Sequence, residues 1–316
     1  MASKPTDVLV VGELNVDLIL DRLDAFPEFG KEVLARRMLL TLGSSSAIFA
    51  SNLSVLGSRV SFCGRVGNDS FAGKIITDLS AKGVATGHII HSDTADTGIT
   101  VALNAANDRA MVTYPGAMEE LTASDVTDEM LDNARHLHIS SVFLQPGLRP
   151  GLIDLFRRAR QKGLTTSLDP QWDPAGKWDL DMKVLLQSVD LFLPNLEELK
   201  HLVRRPSLEE CLSEIGDASG IVVVKNGLEG AMLRQGNTLL RQPAFLNEEV
   251  ADAIGAGDSF NAGFIHRFIQ GSSLEACLIS GALCGAINTT RNGGTTAFTD
   301  HDAVQRLAME KFNTRL

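Results

Sequence analysis

A short run of small residues before a helix-like segment carries the clearest chemical potential in the chain. The apolar residues after this run recur at the spacing of a helix. The first backbone N–H groups of a helix lack partners within it and lie at the positive end of its dipole, so they suit an anion. Asp258, in the predicted first turn, can accept a proton as a general base. Ordinary turn chemistry, with an acidic residue at a helix start, is the alternative. The turn residues are Gly255, Ala256 and Gly257.

Further polar side chains follow apolar runs that read as buried strands. Asn15 and Asp17 come shortly after residues 8–11 and Gly12, and Asp169 follows residues 165–168. The ends of parallel strands meet at one edge of an open α/β sheet, where ligands bind. Taken alone, Asp17 is more typical of a solvated loop residue.

Two more candidates follow the later strands of the chain. Asn195 and Glu198 follow residues 190–193, and their oxygens suit a magnesium ion that keeps most of its water. Asn195 is also typical of a helix N-cap. Lys225 ends the run 221–225, where it would either meet a phosphate or lie as a solvated strand end.

The elements that must position these residues alternate between strand and helix. Short apolar runs separated by helix-like stretches such as 150–162 predict a parallel sheet covered by helices on both faces. Residues 97–103 and 110–117 predict a hairpin that interrupts this alternation. Residues 31–41 read as a partly covered strand, and residues 14–41 together with the hairpin predict a small unit made only of strands.

Composition narrows the class of protein. A chain of 316 residues with 44% apolar residues can bury a core for one large domain with an appendage, or for two domains. A net charge of −10 argues against a nucleic-acid partner. The four cysteines lack metal-site spacing and are expected to be reduced and buried. We found no signal-peptide pattern and no apolar run of membrane length, so a cytoplasmic protein without membrane contact is expected.

Residues 252–264 resemble the motif DTTGAGDxFxxGF of the ribokinase-like (PfkB-type) carbohydrate kinases, with Ala253 and Ile254 in place of the two threonines. The resemblance implies that the amides of residues 255–257 bind the charge of the transferring phosphate and that Asp258 deprotonates the attacking hydroxyl. It extends from Gly12 to about Thr296. It also implies a three-layer α/β fold with a β-sheet lid. The large domain would comprise residues 1–13, 42–96 and 117–316, and the lid residues 14–41 and 97–116.

The same resemblance implies a set of acceptor-binding residues. Asn15 and Asp17 match a pair whose Asp binds substrate hydroxyls, and Gly43 matches the first glycine of a GGxxxN pattern. Ser44 and Ile48 depart from that pattern, which leaves the acceptor open. Asp169 matches the Asp of an Asp-x-Asn motif whose amide is lengthened here to Gln171, and the arginine that often follows is absent.

The resemblance further implies a nucleotide and metal site. Asn195 and Glu198 match an NxxE motif that positions magnesium through water beside ATP. In some family members a glycine-rich loop holds a monovalent cation through backbone carbonyls, so Asp252 and Ile254 are candidates for a potassium site. The residues expected to contact ATP are Lys225, Gly227, Gly230, Gly257 and Asn288.

The sequence therefore predicts a kinase that transfers phosphate from ATP to a primary hydroxyl of a sugar or sugar-like molecule, with a homodimer through the lid as a further expectation. A nucleoside kinase is the rival, since Ile48 leaves room for a nucleoside. A sugar- or nucleotide-binding regulator without catalysis is the alternative from another class. A nicotinamide dehydrogenase is disfavoured, because no GxGxxG follows the first strand.

Overall fold

The computed structural model describes residues 4–105, 108–216 and 220–316. Their strands are Thr6–Val11 (β1), Asn15–Leu23 (β2), Arg37–Leu42 (β3), Val60–Val66 (β4), Ala85–His91 (β5), Gly98–Ala105 (β6), Asp108–Tyr114 (β7), Ala134–Ser140 (β8), Thr165–Asp169 (β9), Leu191–Phe192 (β10), Ile221–Lys225 (β11), Ala231–Gln235 (β12) and Thr238–Gln242 (β13). Their α-helices are Ser45–Val55 (α1), Ser70–Ala81 (α2), Asp128–Asp132 (α3), Leu152–Gln161 (α4), Met182–Ser188 (α5), Leu196–Val203 (α6), Leu208–Ile215 (α7), Ala256–Ile269 (α8), Leu274–Asn288 (α9) and His301–Phe312 (α10).

The larger sheet has the strand order β13-β12-β11-β10-β9-β8-β1-β4-β5 within the described residues. Neighbouring strands from β5 to β11 run parallel, and β12 and β13 add an antiparallel edge. The predicted parallel sheet is confirmed. The antiparallel pair β12–β13 was not among the predicted elements, because its strands mix polar and apolar residues.

Helices cover both faces of this sheet, which gives the predicted three layers. Along β1, Val8 and Val10 belong to an apolar cluster that includes residues of α1, α2, α8, α9 and α10. The alternate residues Leu9 and Val11 belong to a second cluster with residues of α3 to α7. A strand buried on both faces in this way reads as a continuous apolar run.

The smaller sheet has the order β3-β2-β6-β7 and corresponds to the predicted lid. Its β6–β7 pair confirms the predicted hairpin, whose tip residues 106 and 107 lie outside the described residues. The strand predicted at 31–41 is confirmed only at its end, because the described strand begins at Arg37. The charged residues before it are mostly exposed, and Arg36 pairs with Asp24 instead. The proposed domain limits stay a prediction.

Two further observations concern expectations from composition. All four cysteines are buried free thiols, as predicted. No helix among the described residues combines the length and the apolar character that crossing a membrane requires.

Candidate active site

The start of α8 forms the floor of a cavity with a volume of about 580 Å³. The turn residue Gly255 has a left-handed φ of 76°, which glycine adopts without strain. The helix then begins at Ala256, and Gly255, Gly257 and Asp258 all line the cavity. This turn therefore presents the open end of a helix toward the cavity, where an anion is favoured.

The lid and the start of α1 supply another part of the cavity wall. Asp17 on β2 lies opposite Thr100 on β6, and both line the cavity together with Ile48. Asn15 is buried behind them, and its Nδ2 donates to Asp17 Oδ1 at 2.9 Å and to Thr100 Oγ1 at 3.2 Å. A Cβ on Gly43 would lie 2.3 Å from Asp17 Oδ1. The structure thus places Asp17 at the cavity, with Asn15 and Gly43 fixing its position from behind.

Asp169 lies beneath the cavity and is not among its lining residues. It is fully buried, and its Oδ2 accepts from Lys225 Nζ at 2.6 Å, from Asn261 Nδ2 at 2.5 Å and from Gln171 Nε2 at 3.1 Å. In this arrangement Asp169 anchors its neighbours, and its direct contact with a substrate stays a prediction.

Lys225 is buried, so the alternative of a solvated strand end is wrong. Its side chain is 12% exposed and borders the cavity. Burial opposes its charge, but the carboxylates of Asp169 and Glu198 outweigh that effect and raise the pKa of the ammonium group. A Cβ on Gly257 would lie 3.6 Å from Lys225 Nζ, so a fixed positive charge stands beside the anion-binding turn.

Asp258 has the strongly perturbed carboxyl group that a general base needs. Burial raises its pKa well above the usual range, and the negative charge of Asp169 adds to this, while Lys225 opposes it. Only 6% of the residue is exposed. Its Oδ1 accepts a hydrogen bond of 3.0 Å from Gln171 Nε2. A raised pKa makes the carboxylate a better proton acceptor near neutral pH.

Asn195 and Glu198 line the cavity and also form the capping box of α6. Asn195 Oδ1 accepts from the Glu198 amide at 2.9 Å, while Glu198 Oε1 and Oε2 accept from Asn195 Nδ2 at 2.6 Å and Asn195 N at 2.9 Å. Burial, and then Asp169, raise the pKa of Glu198 to about 7. The N-cap interpretation of Asn195 is therefore confirmed, and its role in binding magnesium stays a prediction. Oxygens already engaged in a cap, with lone pairs left over, fit a magnesium ion held through water.

A second cavity of about 370 Å³ adjoins the first and shares Lys225, Gly227 and Gly257 with it. Gly230 also lines it, and the rest of its wall is mainly apolar. The apolar residues include Leu228, Phe245, Val250, Phe260, Ala282 and Ala286.

Asn288 is not among the residues lining this cavity, so the structure does not place it at the predicted nucleotide contact. It is fully buried, and its Nδ2 donates to the Ile254 carbonyl at 2.6 Å. Asp252 accepts from the amides of Ile254 and Gly293, each at 3.0 Å. These bonds fix the loop predicted to hold a monovalent cation. A cation there would share the Ile254 carbonyl with Asn288.

Two residues of the site were missed by sequence reasoning. Glu13 is buried behind the cavity, bonded to Ser46 Oγ at 2.5 Å, and burial raises its pKa. Its position directly after Gly12 at the end of β1 was the available signal. Gln171 was noted only as a departure from a motif, yet it bonds the predicted base.

Comparison with protein families gives a match over almost the whole chain. The model of the pfkB family carbohydrate kinases matches residues 5–301. Among curated proteins, an ATP-dependent ribose-1-phosphate kinase of Halopiger xanaduensis is 29% identical over 309 residues, covering 97% of this chain and 99% of the relative. A ribokinase of Lactococcus lactis is 27% identical, covering 85% of this chain and 86% of the relative.

Solved structures share the fold at lower identity. A ribokinase of Arabidopsis thaliana complexed with ribose and ATP superposes with a TM-score of 0.82 at 23% identity, covering 96% of this chain and 98% of the other. An adenosine kinase of Sinorhizobium meliloti gives 0.84 at 22% identity, covering 96% and 99%. A putative ribokinase II of E. coli in complex with ATP and Mg²⁺ gives 0.81 at 22% identity, covering 96% and 98%.

Proposed function

The chain belongs to the pfkB family of carbohydrate kinases, and on that premise we propose that it transfers the γ-phosphoryl group of ATP to a primary hydroxyl of a sugar or sugar-like acceptor. One observation carries the proposal. The anion-binding turn at residues 255–257 and the buried carboxyl of Asp258 open into the same cavity as Asp17. This arrangement supports a site in which the phosphoryl group, its proton acceptor and a hydroxyl-binding carboxylate share one cavity.

Each step has a residue of the chain to carry it. Asp17 binds hydroxyls of the acceptor and orients them. Asp258 takes the proton of the attacking hydroxyl as its oxygen bonds the γ-phosphorus, and ADP leaves with the electrons of the broken P–O bond. The amides of residues 255–257 and the Lys225 ammonium offset the charge on the transferring group. Positioning and electrostatic stabilisation supply most of the rate of such transfers.

ATP is the proposed donor, with its adenine in the apolar cavity beside Gly227 and Gly230. Magnesium held through water at Asn195 and Glu198 would neutralise charge on the phosphates. Potassium at the loop of Asp252 and Ile254 remains part of the proposal, supported by the rigid loop that Asn288 holds.

The acceptor cavity bears on the choice between a free sugar and a nucleoside. Carboxyl groups of Asp17, Glu198 and Asp258 line it, which favours a neutral acceptor over a phosphorylated or acidic sugar. Its apolar members Ile48 and Trp172 suit a nucleobase as well as the apolar face of a sugar. This observation keeps the nucleoside kinase as the second candidate. The buried base Asp258 disfavours a regulator without catalysis.

The experiment is ADP release with magnesium and ATP against ribose, fructose, ribose 1-phosphate, 2-keto-3-deoxygluconate, adenosine and cytidine. We expect turnover on a neutral member and a fall in kcat of roughly 10²- to 10⁴-fold in Asp258→Asn, the usual effect of losing a general base. Asp302→Asn, at an aspartate with an 88% exposed side chain, is the matched control and should match wild type. Unchanged turnover in Asp258→Asn would refute the role of the base.

A homodimer through the lid is the remaining part of the proposal. The face of the lid turned away from the cavity carries a row of apolar side chains across β3, β2, β6 and β7. Val112 is 69% exposed, Met38 68% and Tyr114 50%. A contiguous exposed apolar surface of this kind is typical of a protein interface.

A further inference from the structure

A single side-chain amide connects the two buried carboxyl groups at the floor of the site. Gln171 Nε2 donates to Asp258 Oδ1 at 3.0 Å and to Asp169 Oδ2 at 3.1 Å. An amide nitrogen carries two N–H bonds, so it can serve both carboxylates at once. Asp169 and Asp258 are 89 positions apart in the sequence (258 − 169), so the bridge exists only in the folded chain.

The backbone around Gln171 is held in an uncommon conformation that aims this amide. Gln171 has a left-handed φ of 59°, which non-glycine residues rarely adopt. Its own amide donates to Asp169 Oδ1 at 3.3 Å. The loop that follows is tied down by Asp173, which accepts from Trp178 N at 2.6 Å, and by the edge-to-face contact of Trp172 and Trp178 at 4.9 Å. The position of the amide is thus set by the loop.

The surroundings of Asp258 explain why such a donor matters. The charged groups that act on it are Asp169, Glu13 and Glu198, which disfavour a further negative charge, and Lys225, which favours it. Lys225 is engaged by Asp169 at 2.6 Å. The Gln171 N–H is a donor bonded directly to an oxygen of the base. Hydrogen bonds to the charged form of an acid favour that form.

We infer that Gln171 is a positioning residue for the proton transfer: its amide fixes Oδ1 of Asp258, favours the ionised form of the carboxyl group and leaves Oδ2 for the acceptor hydroxyl. This inference rests on the proposed function. Gln171, whose side chain is one methylene longer than the Asn of the Asp-x-Asn motif, would thus act on the reaction through Asp258. Asp169, in turn, holds both the amide and the Lys225 ammonium in place.

The test compares Gln171→Leu with wild type in the ADP-release assay across pH. We expect kcat to fall roughly 10- to 100-fold, the effect of losing one hydrogen bond to a charged group. The KM for ATP should stay within about twofold, because the amide does not act on binding of the donor. Loss of the donor disfavours the ionised form, so the acid limb of kcat against pH should move up by about one unit.

Gln171→Asn is the second variant, because its amide is one methylene shorter and cannot span both carboxyl groups. It should fold and show an intermediate loss and an intermediate shift of the acid limb. Gln187→Leu, the same change at an exposed glutamine, is the matched control and should match wild type. A lower melting temperature in the Gln171 variants with an unmoved acid limb would mean a structural role only, and would overturn the inference.

An infrared titration separates this inference from the proposed function. The band of the protonated carboxyl that disappears in Asp258→Asn reports the ionisation of Asp258 without any acceptor. We expect its midpoint to rise by about one pH unit in Gln171→Leu. If no acceptor is phosphorylated, the proposed function fails, and this titration still decides the effect of Gln171. An unchanged midpoint would overturn the inference even in an active kinase.

Discussion

Individual residues of this site owe their chemistry to burial. Asp258 and Glu13 both have raised pKa values because burial penalises their charged forms, and Lys225 keeps its charge through the carboxylate of Asp169. The same groups in water would be an ordinary acid and an ordinary cation. Their proximity under the cavity supports the proposed roles of a base and a fixed counter-charge.

Gly255 is the residue at which backbone geometry is most demanding. It has a φ of 76°, and a Cβ there would lie 2.7 Å from Gly294 Cα and 3.0 Å from Ile48 Cγ2. We expect Gly255→Ala to lower the free energy of unfolding by more than the roughly 1–2 kcal/mol that left-handed backbone costs. Displacement of the amides should also lower kcat roughly 10- to 100-fold.

Gly271→Ala provides the matched control for this prediction. Its φ is 77°, and no atom lies within 4 Å of the position that a Cβ would take. Urea denaturation of both variants should show that Gly271→Ala loses only the stability that the left-handed backbone costs. The ADP-release assay should show no loss of activity in Gly271→Ala. Equal losses in stability and activity at the two positions would contradict a special role for the turn.

At the scale of elements, the sequence predicted those helices, strands and turns that depend on the local pattern of residues. The turn at residues 255–257 and the start of α8 follow from small residues before a helical repeat. The strand predicted at residues 31–41 began too early, because the charged residues before Arg37 are exposed to solvent. The bond between Gln171 and Asp258 joins residues 87 positions apart, and no local spacing predicts it. The capping box of α6 explains why the sequence left two interpretations of Asn195 open. The same side chain caps the helix and lines the cavity.

Strand β8 carries a buried histidine pair that links stability to pH. His136 bonds Thr165 at 2.8 Å and Ser167 at 2.7 Å, and burial lowers its pKa to about 3. An unfolded histidine titrates near 6.5. Between these values the unfolded chain binds a proton that the folded chain does not. The stability from neutral His136 is therefore complete above about pH 6.5 and is lost as the pH falls.

We expect urea denaturation between pH 6 and 5 to show wild type losing up to about 1.4 kcal/mol per pH unit for each buried histidine. His138 is also buried and has a pKa well below its usual value, so it contributes in the same direction. His136→Gln should reduce the slope by the share of one histidine, whereas His301→Gln, at a half-exposed side chain, should not. Parallel slopes in all three proteins would contradict this origin.

For the whole molecule, the lid sheet separates two surfaces. Asp17, Thr100 and Met111 face the cavity, whereas Val112 and Tyr114 lie on the opposite face of the same sheet. Under the proposed function, the inner face binds the acceptor and the outer face binds the partner subunit. One sheet of four strands serves both purposes because successive side chains of a strand point in opposite directions.

Val112→Glu tests the outer surface. We expect wild type to sediment as a dimer and the variant as a monomer, because a charge buried in an apolar interface without a partner is strongly unfavourable. Leu239→Glu, at a 48% exposed leucine on β13, is the control for adding a charge to an exposed strand and should leave the dimer intact. A monomeric wild type at micromolar concentration would refute the lid dimer.

The lid and the start of α1 lie in the first 116 residues. The residues that line the apolar cavity lie between Lys225 and Thr289, and the anion-binding turn at residues 255–257 falls within the same range. Under the proposed function, the lid wall of the acceptor cavity and the apolar cavity for ATP therefore come from different stretches of the chain, and Trp172 of the acceptor cavity lies between them. On this proposal, substitutions in the lid would alter the choice of acceptor and leave the residues proposed to bind ATP unchanged. A chain divided in this way would allow the acceptor to change separately from the phosphoryl donor.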